Sequence, residues 1–196
     1  MKHTIRNIGF AEITESNGSI TYGTPTYFAT VEAGGREYTA TPKGDFQHVY
    51  ANGELAYSCD NNAGYDISLT LLDLIDQISQ KWYGQTLVDG MYEGVAEYGD
   101  APVPPKFALL IHEDTTDGNG KITFFPYCQI SSRQTDSGKT KEEGAFDFAF
   151  SQHSILASPR PSDQLVRFTL KGTEQLSTVP EPTTPAATSG SGTTTP

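Results

Sequence analysis

The sequence FALLIHEDTTDGNGKITFFPYC, residues Phe107–Cys128, decides how the fold of this chain is interpreted. Its two arms, Phe107–Glu113 and Lys121–Tyr127, are rich in aromatic and β-branched residues, which are typical of β-strands. The DTTDGNG between them supplies Asp, Asn and Gly, which tolerate positive φ and bond back to their own backbone. The stretch therefore predicts two antiparallel strands joined by a hairpin turn.

The acidic turn also invites comparison with a calcium-binding loop. Such a loop places carboxylates at alternate positions, turns on a Gly at its sixth position and closes with a bidentate Glu at its twelfth. Here Asp114 and Asp117 are three residues apart, and the twelfth position counted from Asp114 is Phe125. We therefore expect a turn without a metal ion.

Other turn signals predict further hairpins along the chain. Gly34-Gly35 separates Pro25–Ala33 from Arg36–Thr41, and Asn52-Gly53 separates Phe46–Ala51 from Glu54–Cys59. Because Gly and Asn supply the positive φ of tight turns, each pair of flanking runs is expected to form a hairpin. Asn17-Gly18 is interpreted in the same way, as a turn and not as a glycosylation site.

Additional strands are expected where apolar and polar residues alternate. Phe146, Phe148 and Phe150 alternate in this way with polar or small residues. The loop DAPVPP contains three prolines, which cannot donate ladder hydrogen bonds, and it separates two of the expected strands. The strands expected on this basis are Gly90–Tyr98, Lys106–Glu113, Ala145–Ser151 and Gln164–Lys171.

One segment has the period of an α-helix. The sequence TLLDLIDQISQKWYG places apolar residues at helical spacing, with acids and amides between them. Thr70 is expected to cap its first turn and Gly84 to end its last. The apolar residues of this predicted helix are Leu71, Leu74, Ile75, Ile78 and Trp82. About ten strands and one helix predict an all-β fold of two packed sheets, with the helix covering an edge or an open end.

The C-terminal end has a different composition from the rest of the chain. From Thr173 to Pro196 it reads TEQLSTVPEPTTPAATSGSGTTTP and contains no Lys or Arg. Because a segment so poor in apolar residues can bury little surface, we expect a flexible tail at 173–196. The folded domain is then 1–172, which is long enough to form a hydrophobic core.

Composition restricts the functions that the chain can have. It carries 24 acidic and 13 basic residues, a net charge of −11, so binding to nucleic acid by neutralising phosphates is not expected. Its first residues lack the apolar run of a secretory signal, and no stretch reaches the length of a membrane span, so a cytosolic origin is expected. Cys59 and Cys128 have no ligand spacing and are interpreted as buried free thiols, with a disulfide as the alternative.

Catalytic motifs are incomplete in this sequence. DSGKT at Asp136–Thr140 ends like a phosphate-binding loop, but Arg133 stands where that pattern requires Gly, and a strand pattern follows where a helix is needed. The four histidines form no HExxH or HxH pair, and GxSxG is missing. We therefore expect no enzyme, no catalytic residues, no cofactor and no metal. A carboxylate pair for glycoside hydrolysis is assembled in space, so the sequence leaves it open.

Several stretches occur in an order that is informative as a whole. GFAEIT and GSITYGTP lie within Gly9–Pro25, and HVYANGELAYSCDNNAGYDISL spans His48–Leu69. The helix ends in KWYG, and FALLIHED with GKITFFPYCQISS is followed by TKEEGAFDFAFS. In this order they resemble the major tail proteins of long-tailed bacteriophages, in particular the phi13-like family. The resemblance covers nearly all of residues 5–158. The longer, more polar hairpin tip and the low-complexity tail depart from that family's pattern.

The resemblance implies a structural protein of the virion tail. It implies a two-sheet β-sandwich or barrel of the phage tail-tube type that is assembled in the host cytoplasm. Hexameric rings of this protein would stack into a tube that conducts DNA from the capsid to the host cell. The implied partners are further copies of the chain, a tape measure protein, and tail terminator and tip proteins. DNA would pass through the lumen without specific binding, and no membrane partner is implied.

The resemblance also implies where rings contact each other. The region Gly44–Asp100 carries ten acids against one base, Lys81, and includes the long loop before the helix. In the resembling family such a loop reaches the adjacent ring. The residues implied to lie at or near ring-to-ring contacts are Asp45, Glu54, Asp60 and Asp66, and a merely solvated acidic surface is the alternative.

Two other functions remain open from the sequence alone. Aromatic residues could form a sugar-stacking platform, as in a secreted carbohydrate-binding β-sandwich, although packing in a core is the usual role of aromatics at alternating positions. A tube protein of a contractile injection system would share the expected fold and differ in its partners.

Overall fold

The computed structural model describes most of the chain as β-structure. The described residues are 3–28, 35–44, 46–51, 54–60, 63–72, 76–88, 94–96, 103–116, 118–133, 135 and 150–182. The elements in chain order are β1 (His3–Ser16), β2 (Ser19–Tyr22), β3 (Thr26–Tyr27), β4 (Gly35–Pro42), β5 (Phe46–Ala51), β6 (Glu54–Asp60), β7 (Tyr65–Leu71), α1 (Asp76–Tyr83), β8 (Thr86–Val88), β9 (Gly94–Ala96), β10 (Phe107–Thr115), β11 (Lys121–Ile130), β12 (Ser151–Ala157) and β13 (Phe168–Lys171).

A large antiparallel sheet dominates the fold. Its strand order is β2-β1-β10-β11-β12-β7-β4, with β3 beside β1 and β13 beside β11. The sheet curls and brings β4 close to β1. The approach is so close that a Cβ on Gly35 would overlap the side chain of Ile8. The described strands outside this sheet form two separate pairs, β5–β6 and β8–β9. The prediction of an all-β fold with one helix therefore agrees with the described residues.

The main core lies inside the curled sheet. Along β7, Ile67, Leu69 and Leu71 are buried and alternate with more exposed polar residues, as the period of a strand requires. The helix α1 contributes Ile78 and Trp82 to the same core, and the Trp82 ring stacks on Phe107 with centroids 4.6 Å apart. The two helical residues therefore face the core as predicted.

A second, smaller apolar cluster covers the outer face of the sheet. It contains Ala11, Ala108, Leu110 and Phe124 from β1, β10 and β11, all fully buried. Because β10 is covered on both faces, its sequence begins with a continuous apolar run and does not alternate between apolar and polar residues. This explains why the FALLI stretch was such a strong strand signal.

Three of the predicted pairs of adjacent strands are confirmed. β10 and β11 form the hairpin expected around DTTDGNG, where Gly118 has a φ of 76° and its N–H donates to the Thr115 carbonyl. Asn17 and Gly18, with φ values of 49° and 78°, connect β1 to β2. β5 and β6 pair as expected on either side of Asn52-Gly53.

The hairpin predicted around Gly34-Gly35 is wrong. β3 pairs with β1, and β4 pairs with β7, so the two runs join different neighbours in the sheet. The glycine at Gly35 serves another purpose, because it lets β4 approach Ile8. The Gly-Gly pair was interpreted as a hairpin turn. Glycine is needed here for another reason, because the close packing of strands that are distant in sequence leaves no room for a side chain.

The helix begins later than predicted. Thr70 and Leu71 belong to β7, where Thr70 lies opposite both Gln152 and Glu37. The backbone of Thr70 is therefore part of a sheet ladder, and it cannot cap a helix. The described helix begins at Asp76, while Leu74 and Ile75 lie outside the described residues. Its end is as predicted, because Gly84 has a φ of 68° and its N–H donates to the Gln80 carbonyl.

One predicted strand, Gln164–Lys171, needs correction, and two others lie largely outside the described residues. Most of Ala145–Ser151, including Phe146 and Phe148, lies outside the described residues, and the observed strand β12 begins where that prediction ended. Only Phe168–Lys171 of the last predicted strand is β-structure, because Gln164 has a φ of 61° and turns the chain. Of Gly90–Tyr98, the described part is β9, which pairs with the unpredicted β8.

The first part of the expected flexible tail is packed against the body. Leu176 and Val179 are partly buried against the outer apolar cluster, and Glu181 pairs with Arg160. The expectation that no residue beyond Thr173 would bury itself is therefore wrong for 173–182. Two apolar side chains and one acid are enough to hold this segment, because the body offers them an apolar cluster and an arginine. The remainder of the predicted tail, 183–196, lies outside the described residues.

Candidate assembly surfaces

The β5–β6 hairpin is the most distinctive candidate for an assembly surface. Its register runs from Phe46 opposite Asp60 to Ala51 opposite Glu54, with an irregularity between Val49 and Tyr50. Within the described part of the chain, β5 and β6 pair with each other and with no third strand. An isolated two-stranded hairpin is marginally stable in water, and open edges are templates for pairing with another chain.

The exposed aromatic residue of this hairpin adds to the argument. Tyr50 is 66% exposed, the most exposed aromatic side chain among the described residues. Aromatic residues are enriched at protein interfaces because they bury a large apolar area with few rotatable bonds. The hairpin therefore presents both a strand pair without a third described strand and an apolar side chain.

The structure describes the backbone positions of three of the four acids implied to contact a neighbouring ring. Asp66 lies on the outer face of β7, where its Oδ1 is 3.2 Å from Nζ of Lys43, and both side chains are largely exposed. Glu54 and Asp60 are at opposite ends of β6, about 20 Å apart at roughly 3.3 Å per residue. Asp45 lies outside the described residues. A role in ring contacts stays a prediction for each of the four acids.

The outer face of β4, β7 and β12 around Asp66 is rich in hydroxyl groups. Ser68 accepts a hydrogen bond from Gln152 at 3.1 Å. A shallow groove of about 350 Å³ crosses this face. It is lined by Thr39, Thr41, Asp66, Ile67, Ser68, Ser131, Ser132, Ser154 and Ile155. A polar, groove-like face of this kind suits a hydrated contact better than a dry apolar one.

A charged cluster lies on the inner side of the curled sheet. The Glu113 carboxylate is nearly buried, and its Oε2 is 2.8 Å from Nζ of Lys121. Burial, followed by the nearby charge of Glu113, raises the pKa of Tyr38 to about 12. Tyr38 therefore stays protonated at neutral pH and remains a hydrogen-bond donor. A cavity of about 310 Å³ lies at this cluster, and Arg167 is one of the residues that line it. The Arg167 guanidinium is 5.1 Å from the centre of the Tyr65 ring.

A second cluster joins β1 to β11 at the surface. The Tyr127 hydroxyl donates to Oε1 of Glu15 at 2.7 Å, and Lys106 contacts both of these residues. The hydrogen bond from Tyr127, followed by that from Lys106, lowers the pKa of Glu15. The contact with Tyr127 raises the pKa of Lys106. Lys106 is therefore held in its charged form, which is the form that cannot act as a nucleophile.

The remaining predicted groups are placed as follows. Cys128 is a fully buried free thiol, as predicted, whereas the side chain of Cys59 lies outside the description. Asp114 lies next to the β10–β11 turn, and its Oδ1 is 3.3 Å from Nη1 of Arg6. Asp117 is outside the described residues. No group of three or more His, Cys, Asp or Glu side chains that could hold a metal ion occurs in the described part.

The C-terminal segment is the surface that sequence reasoning missed. Its key partner is Arg160, whose side chain is only 8% exposed and binds two carboxylates. Nothing in the spacing of Arg160, Asp163 and Glu181 signals this contact, because Glu181 lies within a Thr- and Pro-rich stretch. The pattern of Leu176 and Val179, three residues apart, was the available signal for a docked segment.

Comparison with known proteins leaves the family unassigned. No protein-family model matches the chain, and no curated protein matches it. Among the described residues, no helix is both long enough and apolar enough to cross a membrane.

Proposed function

We propose that this protein is a structural subunit that assembles into hexameric rings, and that these rings stack into the tail tube of a bacteriophage. The observation that carries the proposal is the β5–β6 hairpin, which pairs with no other described strand and exposes Tyr50. The order of the sequence landmarks that resemble major tail proteins supports the same role. Pairing of open edges with a neighbour gives a closed ring without exposed strands.

Charge supports the proposed role as a conduit. A cationic lumen would retain DNA, because each neutralised phosphate releases counterions and adds affinity that must be lost again as the DNA slides. The net charge of −11 shows that acidic residues outnumber basic ones, and this excess is compatible with a lumen surface that repels DNA. At physiological salt only charges within about 8 Å of the DNA matter. We expect the lumen of the assembled tube to carry more Asp and Glu than Lys and Arg.

The proposed partners follow from the proposed role. Further copies of the chain form the tube, a tape measure protein occupies it during assembly, and terminator and tip proteins close its ends. The site of action is the virion tail, after assembly in the host cytoplasm. A tube protein of a contractile injection system would assemble in the same way, and it would be distinguished by copurification with sheath proteins in place of capsid-linked tail proteins.

The proposal is tested by measuring the assembly state of the purified protein. Light scattering after size exclusion and negative-stain microscopy should show six-membered rings, and tubes at high concentration. Monomers at every salt and protein concentration would contradict the proposal. Assembled tubes should also fail to retain duplex DNA, and tight, salt-sensitive binding would contradict the expected lumen charge.

A matched pair of variants tests whether the hairpin makes the contact. Tyr50→Lys places a charge on the exposed hairpin residue, and Val103→Lys does the same at a 79% exposed residue in the loop before β10. We expect Tyr50→Lys to weaken ring formation at least tenfold, a loss of about 1.4 kcal/mol per contact. Val103→Lys should assemble normally. Equal assembly of both variants would exclude the hairpin as the ring contact.

A further inference from the structure

The cavity of about 310 Å³ at Glu113 and Lys121 lies between β4 and β13. Tyr38 lines it from β4, Glu113 and Lys121 line it from β10 and β11, and Arg167, the residue before β13, lines it as well. Among the described strands, β4 pairs with β7 alone and β13 pairs with β11 alone. No described strand ladder therefore closes the curled sheet at this point. The cavity is open to solvent, since Arg167 is exposed and the Lys121 side chain is 33% exposed.

Three basic side chains gather on this side of the sheet. Lys121 and Lys171 are directly opposite each other in the β11–β13 ladder, so their side chains lie on the same face. Arg167 is four residues before Lys171 and shares that face, because side chains alternate along an extended strand. Like charges directly opposite each other destabilise a sheet. Together with the cavity, Lys121, Arg167 and Lys171 form the basic groove.

The acids of the same subunit neutralise only part of this charge. Glu113 is the one acid among the described residues that line the cavity, and its Oε2 is 2.8 Å from Nζ of Lys121. The ion pairs found among the described residues include neither Arg167 nor Lys171. The basic groove therefore carries three cations against one paired carboxylate, in a chain whose net charge is −11. Two positive charges remain for an external anion.

The position of the Arg167 guanidinium suits a carboxylate ligand. It lies 5.1 Å from the centre of the Tyr65 ring, and contact with an aromatic face leaves the N–H groups at the edge of the guanidinium able to donate. Those N–H groups match the two oxygens of a carboxylate. Thr169 lies between Arg167 and Lys171 on the same face and adds a hydroxyl donor. The chemistry of the basic groove therefore favours a carboxylate.

A second copy of the chain offers the matching charge. The β5–β6 hairpin contains Glu54 and Asp60 and neither Lys nor Arg. Within the described part of the chain, this hairpin pairs with no other strand. Glu54 is opposite Ala51 and directly beside the turn, so it belongs to the end of the hairpin that is away from its two chain connections. An acidic hairpin end is thus present on every subunit, as is the basic groove.

We propose that the basic groove receives the turn end of the β5–β6 hairpin of a second copy of this chain, with the Glu54 carboxylate bound between Arg167 and Lys171. The inference rests on the proposed assembly into rings, and it adds the surface on which the hairpin docks. Because each subunit carries one hairpin and one groove, the contact joins two different surfaces and repeats around a ring. Opposite charges at this contact offset the repulsion between negatively charged subunits and fix which surfaces meet.

Charge reversal at Arg167 tests the docking surface. Arg167→Glu in the full chain should raise the protein concentration at half assembly, measured by light scattering, by at least about tenfold. The fold should be retained because Arg167 is exposed, and the fluorescence of Trp82, the single tryptophan, checks this.

Arg6→Glu is the matched control for this charge reversal. The Arg6 side chain is 54% exposed and lies outside the basic groove, and its exposed pair with Asp114 contributes little to stability. The control should assemble as the wild type does. Equal weakening by both substitutions, or no weakening by Arg167→Glu, would overturn the proposal.

A charge swap tests the pairing itself. Glu54→Lys alone should weaken assembly, because it brings a further cation to the basic groove. The double variant Arg167→Glu/Glu54→Lys restores opposite charges and should assemble at least about threefold more readily than either single variant. A double variant that assembles no better than the single ones would show that these two residues do not meet.

The outcomes separate this inference from the proposed tube. Wild-type rings whose formation Arg167→Glu leaves unaffected would overturn the groove contact and leave the tube proposal standing. A wild-type protein that stays monomeric at every concentration would contradict both. Tubes that retain duplex DNA, and that lose it on Arg167→Glu, would show that the basic groove binds phosphate and would also overturn the inference.

Discussion

The hydroxyl of Tyr83 lies 2.7 Å from Nδ1 of His153, which joins the last turn of α1 to β12 inside the protein. His153 is fully buried, and its ring also meets the Trp82 ring edge-on at 5.7 Å. This hydrogen bond fixes the helix against a strand that lies far away in the sequence. It also fixes the histidine ring, because the nitrogen facing Tyr83 has a defined partner.

Tyr83→Phe should destabilise the protein by about 1–2 kcal/mol, because it removes one hydrogen bond and leaves a buried polar atom of His153 without that partner. Urea unfolding monitored by Trp82 fluorescence measures the change. Tyr50→Phe, at an exposed position, is the control and should be neutral. An equally small effect of both substitutions would show that the hydrogen bond contributes little.

Gly64→Ala should cost roughly 2–4 kcal/mol. Gly64 has a φ of 137°, which L-residues avoid, and a Cβ there would overlap the carbonyl oxygen of Ala157 on β12. Thermal unfolding compares this variant with Gly23→Ala. A Cβ at Gly23 would have its nearest neighbour at 3.7 Å, and that variant should retain nearly full stability.

Cys128 should be inert towards thiol reagents in the folded protein. Burial raises its pKa well above the usual value, so the reactive thiolate does not form. In a Cys59→Ser background, iodoacetamide at pH 8.5 should label Cys128 only after urea is added. An exposed cysteine introduced by Ser177→Cys should react within minutes and serves as the control. Rapid labelling of Cys128 in the native protein would contradict its burial.

A related effect should appear in the stability of the protein at alkaline pH. The unfolded thiol ionises near pH 8.5, whereas the folded one stays neutral. The unfolded state therefore binds fewer protons above that pH, and the free energy of unfolding should fall as the pH rises. Cys128→Ala in the same background should lose this part of the pH dependence.

The β10–β11 turn should not bind calcium at millimolar concentration. The carboxylates that flank it already face cations, Asp114 with Arg6 and Glu113 with Lys121, and the spacing of Asp114 and Asp117 lacks the calcium-loop pattern. Isothermal titration should show no heat of binding. A binding curve that Asp117→Ala abolishes would reverse this expectation.

The parts of the fold that the sequence predicted are local ones. The turns at Asn17-Gly18 and around Gly118 depend on a few adjacent residues with positive φ, so their signal lies in the residues themselves. The pairing of β4 with β7 and of β3 with β1 depends on which distant strand offers a matching face. Thr70 shows the same limit, because a good helix-capping residue was overruled by two sheet neighbours.

The candidate surfaces were less predictable than the fold. The β5–β6 hairpin could be predicted from Asn52-Gly53, but its separation from the other described strands could not, because this depends on the sheet order. The docking of residues 173–182 on the body could not be predicted from their composition. A segment rich in Thr and Pro is usually unstructured. Glu181 is held here because the buried Arg160 on the body donates hydrogen bonds to its carboxylate.

The sheet order has a consequence for synthesis on the ribosome. β1 pairs with β10 from His3 opposite Thr115 to Glu12 opposite Phe107, so the residues of β1 pair with residues made 95 to 112 positions later. At about 5–20 residues per second, this delay lasts several seconds, and such non-local pairing is slow to form even in the complete chain. Nascent chains can pair β1 with β2 and β3 early, but the edge of β1 that faces β10 stays unpaired during this time. When several ribosomes translate one message, these free edges on neighbouring nascent chains can pair with each other unless a chaperone covers them.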